Sequence, residues 1–429
     1  MRIVVVVILF VASLIACGKK TDARPQSNKE AGQQVEIAQQ GETVRFSTYN
    51  VFLNRPTEGQ LAQDLATPDN LQAQKVAEII QRARPDVLLL NEFDYDEAGV
   101  SLRLFQENYL EVSQNGAAPA IYPHVFFAPS NTGLASGQDL NRDGVATMAS
   151  GSREYGGDAF GYGEFPGQYA MVLLSKYPIA VDDVRTFQKF LWRDMPGALL
   201  PDDAATPEPA DWYSKEALAV FRLSSKSHWD IPVIIDDAKV HVLASHPTPP
   251  SFDGEEDRNG KRNHDELRLW ADYISGSDVD YLYDDTGERG GFGTDKRFVI
   301  MGDLNADPND GGSYPNAIDQ LLDSPLVSQA PAPASVGGEK AAILQAGVNK
   351  EHKGAASEDT ADFNDDPEKG IGNLRLDYVL ASKFGLREVA SGVFWPAPAE
   401  PHHNLIGSGF PVESSDHRLV WRDLEITAD

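Results

Sequence analysis

Five short stretches of this 429-residue chain place chemically capable side chains where an apolar run stops. They are Thr48-Tyr49-Asn50, Leu89-Leu90-Asn91-Glu92, His246 after Val240 to Ser245, Gly302-Asp303-Leu304-Asn305, and Ser414-Ser415-Asp416-His417. Asp303 and Asn305 sit two residues apart, a spacing that turns both side chains to one side of a strand. A carboxylate and an amide oxygen presented together suit a hard divalent cation or a phosphoryl oxygen. They suit an Asx turn equally well. An acid beside a histidine fixes the imidazole tautomer and raises its pKa, which favours proton transfer near neutral pH. There is no Gly-x-Ser-x-Gly, and the single cysteine, Cys17, lies far upstream. The chemistry open to the set is therefore attack by water, with a metal and a protonated His neutralising charge.

These residues can meet only if strands deliver them to one rim. Val44 to Tyr49, Asp86 to Leu90, Ala170 to Leu174, Val240 to Ser245 and Leu419 to Leu424 read as strands. Leu374 to Leu380 reads as another, with Asp377 in its middle on the face opposite Leu376 and Tyr378. Asp69 is placed to cap a helix carrying Ala73, Val76, Ala77 and Ile80, which Pro85 stops. Leu267, Trp270, Ala271 and Ile274 mark a second helix. Polar segments near 128–168, 193–232, 306–373 and 396–413 read as long loops, with the Ala/Pro run 329–336 a surface excursion. The candidate residues span Asn50 to His417, so a domain boundary would divide them. One catalytic domain over 43–429 is expected.

The chain carries 65 acids against 37 basic residues, a net charge of -28. That argues against a broad electrostatic grip on nucleic acid, which needs clustered Lys and Arg. It does not exclude a nuclease, because a bound metal supplies local positive charge. Arg2 precedes an apolar run from Ile3 to Ala16, suited to a signal-peptide core over 1–16. Leu14-Ile15-Ala16-Cys17 resembles the bacterial lipobox, which implies cleavage before Cys17 and lipidation of its thiol. With one Cys, no intramolecular disulfide can form. Residues 17–42 read as the lipidated Cys and a flexible polar tether. The expected location is the bacterial cell envelope, facing outward from the cytoplasm. Gly18 rather than Asp follows the Cys, which resembles lipoproteins of the outer membrane where the host has two.

Taken in order, the five motifs resemble the endonuclease/exonuclease/phosphatase superfamily over about 44–425. The resemblance implies an α+β fold, a four-layer α/β/β/α sandwich of two packed, mostly antiparallel sheets flanked by helices. It implies Asn50, Glu92 and Asp416 at the metal, Glu92 as principal ligand, and Mg²⁺ or Mn²⁺ as cofactor. His246 would contact the phosphate or protonate the leaving group. Asp303 would orient or deprotonate the attacking water, and Asn305 would hold a phosphate oxygen. Asp377 would orient His417, the second phosphate-binding or proton-transferring His. The implied activity is phosphoester hydrolysis, with a nuclease or general phosphodiesterase ahead of a phosphatase or a sphingomyelinase-like lipid phosphodiesterase. A non-catalytic surface binding protein is the competing class. Expected partners are a nucleic acid, small or lipid phosphoester and, through the lipid, the membrane, with no protein partner.

Other features stand apart from this set. Asp139, Asn141 and Asp143, with Gly144 sixth, resemble the start of a calcium loop, although Ser150 rather than Glu fills the twelfth position. A structural Ca²⁺ and a plain polar turn are both open there. After His246, Arg258 or Arg262 is placed either to clamp a phosphate or to pair with nearby acids. Tyr155 to Gln168, rich in Gly and aromatics, is a candidate for the substrate entrance.

Overall fold

The computed structural model describes residues 42–276, 279–293, 295–407 and 412–427. The signal segment, Cys17 and the tether through residue 41 lie outside them. Among the described residues no helix is long and apolar enough to cross a membrane.

One sheet contains β1 (Thr43–Leu53), β2 (Val87–Phe93), β3 (His124–Phe126), β4 (Met171–Ser175), β12 (Leu386–Val393) and β13 (Val420–Ile426). Its order is β12-β13-β1-β2-β4-β3. The other contains β5 (Arg185–Thr186), β6 (His228–Ile235), β7 (Ala238–Ser245), β8 (Arg297–Asp303) and β11 (Asp377–Ala381), in the order β11-β8-β7-β6-β5. Each sheet has one parallel pair, β1 with β2 and β7 with β8, and is otherwise antiparallel. A parallel pair needs a crossover. Here α1 (Leu71–Ala83) and α2 (Arg258–Ser275) lie in those two crossovers.

Alternation along the strands sets the layers. Leu88 and Leu90 of β2 pack with Ala73, Val76 and Ile80 of α1, while Val87 and Leu89 face the other way. Phe298 and Ile300 of β8 pack with Leu267, Trp270 and Ile274 of α2. Val299 and Met301 instead join Val44, Phe46, Val87, Leu89, Val240, Val242 and Ala244 in a cluster shared by both sheets. The result is the α/β/β/α sandwich, with its central core between the sheets.

Several boundaries differ from those expected. The cap of α1 is Asn70, whose Oδ1 accepts from Ala73 N at 3.0 Å, not Asp69. The strand expected over 374–380 is broken in two. Asn373–Leu374 (β10) pairs with Ala361–Asp362 (β9), and β11 begins only at Asp377. Side chains take the intervening N–H groups: Asp307 Oδ2 accepts from Arg375 N, and Thr360 Oγ1 from Leu376 N and Asp377 N. Asp377 therefore opens its strand instead of lying mid-strand. The segment read as a loop to 232 contains the start of β6, whose Pro232 obscured the pattern. A helix, α3 (Val336–Gln345), sits inside the expected 306–373 loop.

Candidate active site

The faces that build the inter-sheet core turn polar at one end. Asn50 and Asn91 stand opposite each other on β1 and β2, and Asp303 stands opposite Asp377 on β8 and β11. Ala244 pairs with Met301 across β7 and β8, so two residues on, His246 comes level with Asp303. Its Nε2 lies 3.4 Å from Asp303 Oδ2. Glu92 would fall on the wrong face by alternation. A φ of 58° redirects the chain there.

Hydrogen bonds then cross from one sheet to the other. The Asn50 amide donates to Glu92 Oε1 and to Asp303 Oδ2, both at 3.0 Å, while its own oxygen accepts from Phe52 N. Asn54 donates to Glu92 Oε2 at 2.7 Å. Asp303 Oδ1 accepts from Asn305 N at 3.0 Å, so the Asx turn is present together with the polar cluster. Asn305, at φ 51°, donates from Nδ2 to the Pro247 carbonyl at 3.1 Å. His417 Nδ1 lies 2.8 Å from Asp377 Oδ2, although 40 positions separate them in sequence. Thr360 donates to the same oxygen at 2.8 Å. His417 Nε2 lies 3.7 Å from Asp303 Oδ2. Ser415 ties this segment to β1 by donating to the Asn50 carbonyl at 2.6 Å.

The two histidines are pushed in opposite directions. Burial drives His246 well below the usual imidazole value, and the positive charges of Lys226 and His417 add to it. Burial opposes charge on His417 too, but the Asp377 and Asp303 carboxylates outweigh it and hold that ring well above the usual value. His417 is thus the cation of the pair and His246 the neutral ring. Burial, with Asp416 beside it, raises Glu92 to about 7. Burial likewise raises Asp377, against the pull of His417.

This donor set fits a hard divalent cation. Asp303 is a buried acid, Glu92 is half-buried, and Asp416 Oδ1 is buried without a hydrogen-bond partner among the described residues. Burying carboxylates without compensating charge is costly, and His417 and Lys226 are the positive charges set against Glu92, Asp303, Asp377 and Asp416. Asp303, Asp377 and His417 form the compact trio, with one ligand atom each within 4.8 Å of the others. That trio is not the set expected at the metal. Within the trio His417 Nδ1 is hydrogen-bonded to Asp377 at 2.8 Å, while His417 Nε2 stands 3.7 Å from Asp303. Candidates to hold the ion are this trio and the expected set of Asn50, Glu92 and Asp416. When bound, the ion would neutralise charge on the phosphoryl oxygens.

Sequence reading overlooked Asn54, Asn91, Thr360 and Lys226. Asn91 Oδ1 accepts from Asp303 N at 3.3 Å, linking the sheets. Its place beside Glu92 was the available signal. Thr360 lay inside a supposed loop and had none. Around Asp139, the acceptor oxygens serve the turn itself: Asp139 accepts from Asp143 N and Gly144 N, Asn141 from Asp143 N, and Asp143 from Val145 N. Arg262 is buried and donates to the carbonyls of Leu223, Phe160 and Arg222, and Arg258 pairs with Glu256. Both guanidinium groups are thus committed within the fold.

The model of the Endonuclease/Exonuclease/phosphatase family matches residues 47–417. The chain belongs to that family. Members are divalent-metal-dependent phosphoester hydrolases, and this chain is a hydrolase of that superfamily. Among solved structures it is similar to an endonuclease/exonuclease/phosphatase from Beutenbergia cavernae, at 16% identity and a TM-score of 0.45, covering 90% of this chain and 72% of the other. Sphingomyelinase C from Streptomyces griseocarneus matches at 14% identity and a TM-score of 0.42, covering 89% and 99%. TDP2 from Caenorhabditis elegans matches at 13% and 0.38, covering 90% and 74%. No curated protein matches the chain.

Proposed function

We propose that this member of the family is a metal-dependent phosphodiesterase of the nuclease type, held at the bacterial cell envelope through a lipid on Cys17. The observation that carries the enzymatic reading is Asp303 flanked by His246 at 3.4 Å and His417 at 3.7 Å, with the rings tuned apart. Asp303 takes a proton from water as the water oxygen attacks phosphorus. The bond from phosphorus to the leaving oxygen breaks, and protonated His417 gives that oxygen a proton. Asp377 keeps His417 charged and oriented. His246 and Asn305 hold phosphoryl oxygens.

A lipid or other small phosphodiester is the second reading, favoured by the charge of -28, which weakens any grip on duplex DNA. The deciding assay offers purified protein plasmid DNA, a chromogenic phosphodiester and sphingomyelin, with Mg²⁺, Mn²⁺ or EDTA. DNA and diester turnover that EDTA abolishes supports the first reading, and sphingomyelin turnover alone supports the second. No turnover with any divalent metal overturns both. For the anchor, Cys17→Ser is expected to move the protein from the membrane to the soluble fraction. Unchanged fractionation would refute lipidation.

A further inference from the structure

Lys226 is 6% exposed, an unusual burial for an ammonium. Among the described residues its only side-chain hydrogen bond is a long one, 3.5 Å from Nζ to the Pro247 carbonyl, and it has no ion-pair partner. An ammonium has three N–H donors. Two of them have no acceptor among the described residues.

The location of that ammonium gives those donors a use. Lys226 lies two residues before β6. Continuing the β6–β7 ladder from His228 opposite Ser245 brings it opposite Pro247, one residue past His246. The Pro247 oxygen that faces Nζ is the one that accepts from Asn305 Nδ2 at 3.1 Å. Lysine and asparagine nitrogens thus flank one carbonyl at the rim where His246 and Asp303 meet. The fields agree with this placement: Lys226 is among the charges that depress His246, and Glu266 first, then Glu92 and Asp303, favour its charged form against burial. Its backbone is fixed. Lys226 O accepts from Asn131 N at 2.8 Å, and Ser225 donates to Glu266 Oε1 and to the His246 carbonyl. Gly161 packs so close that a Cβ there would lie 1.8 Å from Ser225 O.

A purely structural role would have Lys226 balance Glu266. That carboxylate is held by Ser225 N at 2.6 Å and Thr248 N at 2.7 Å, and among the described residues no ion pair joins it to Lys226. We propose instead that Lys226 contacts the substrate, its ammonium taking a non-bridging oxygen of the scissile phosphoryl group beside Asn305. This rests on the phosphoesterase reading above. It adds a fixed positive donor to the site, separate from the metal and from His417.

The test compares the parent with Lys226→Met, Lys226→Arg and Lys226→Gln in Mg²⁺. Calorimetric titration uses inorganic phosphate as the probe, and steady-state kinetics uses the chromogenic phosphodiester. Lys226→Met is expected to weaken phosphate binding at least about tenfold and to lower kcat/KM by about 100-fold, in line with loss of one electrostatic donor. The Mg²⁺ half-saturation is expected to hold, and the unfolding midpoint to hold or rise. Lys226→Arg is expected to recover part of the phosphate affinity. Phosphate binding and kcat/KM within about threefold of the parent would overturn the proposal, as would a Mg²⁺ half-saturation that shifts in step with activity. If Lys226→Met does not fold, Lys226→Gln carries the comparison, and parent-like phosphate affinity there overturns the proposal equally. A parent that binds phosphate through Lys226 yet hydrolyses nothing would sink the enzymatic reading and leave this contact standing.

Discussion

His246 and His417 share Asp303 as a neighbour, yet only His417 has a second carboxylate, Asp377, 2.8 Å from its other nitrogen. That contact decides its charge, so Asp377→Asn is expected to let burial prevail and bring the His417 pKa down, read by NMR of the ring protons. With the acid lost at neutral pH, kcat is expected to fall by roughly 10²- to 10⁴-fold. An unchanged ring titration would show that Asp377 does not orient it. Glu92 is tested through the metal. Mg²⁺ at about 100 times its Kd is expected to stabilise the parent by about 2.7 kcal/mol against urea. Glu92→Gln is expected to lose that stabilisation and at least about 100-fold in activity, while folding normally without metal. Most of these residues were legible because each ends an apolar run. Thr360 and Lys226 were not, since their roles come from neighbours distant in sequence.

At the scale of elements, Gly302 shows how tightly the strands hold Asp303. Its φ is 155°, and a Cβ there would lie 1.9 Å from the Ser245 carbonyl of β7. Gly302→Ala forces β7 and β8 apart and is expected to destabilise the protein by about 2–3 kcal/mol, measured by urea unfolding, with a loss of activity beyond that of a distant control. Cap removal is milder. Asn70→Ala is expected to cost about 1 kcal/mol, whereas Asp69→Ala, outside the capping bond, is expected to leave the urea midpoint near the parent value. The strand over 374–380 was misread because period-2 alternation continues through Arg375 and Leu376, whose N–H groups are taken by Asp307 and Thr360. A sequence pattern records which faces are apolar. It does not record where ladder bonds stop.

Across the whole molecule, an excess of acids leaves some buried carboxyls without a nearby cation. Asp359 is pushed up to about 8, first by burial and then by Asp307 and Asp310, from an ordinary value of 3.8. The folded protein keeps a proton there that the unfolded chain releases. Its contribution to stability is therefore full at low pH and is lost as pH rises through about 8. Thermal unfolding in EDTA is expected to show a falling midpoint from about pH 5 to pH 8, and Asp359→Asn is expected to flatten part of that fall. The sequence by itself determined the strands that carry Asn50, Glu92, His246 and Asp303, because burial imposes a period on each element, and its ordered motifs carried the family resemblance that implied the four layers. Only the tertiary structure decided that Asn50 ties Glu92 to Asp303, that Asp377 reaches His417, and that Lys226 lies beside Asn305. Those contacts cross between strands and sheets, and both their hydrogen bonds and their charge states depend on which side chains the packing brings within reach and away from water.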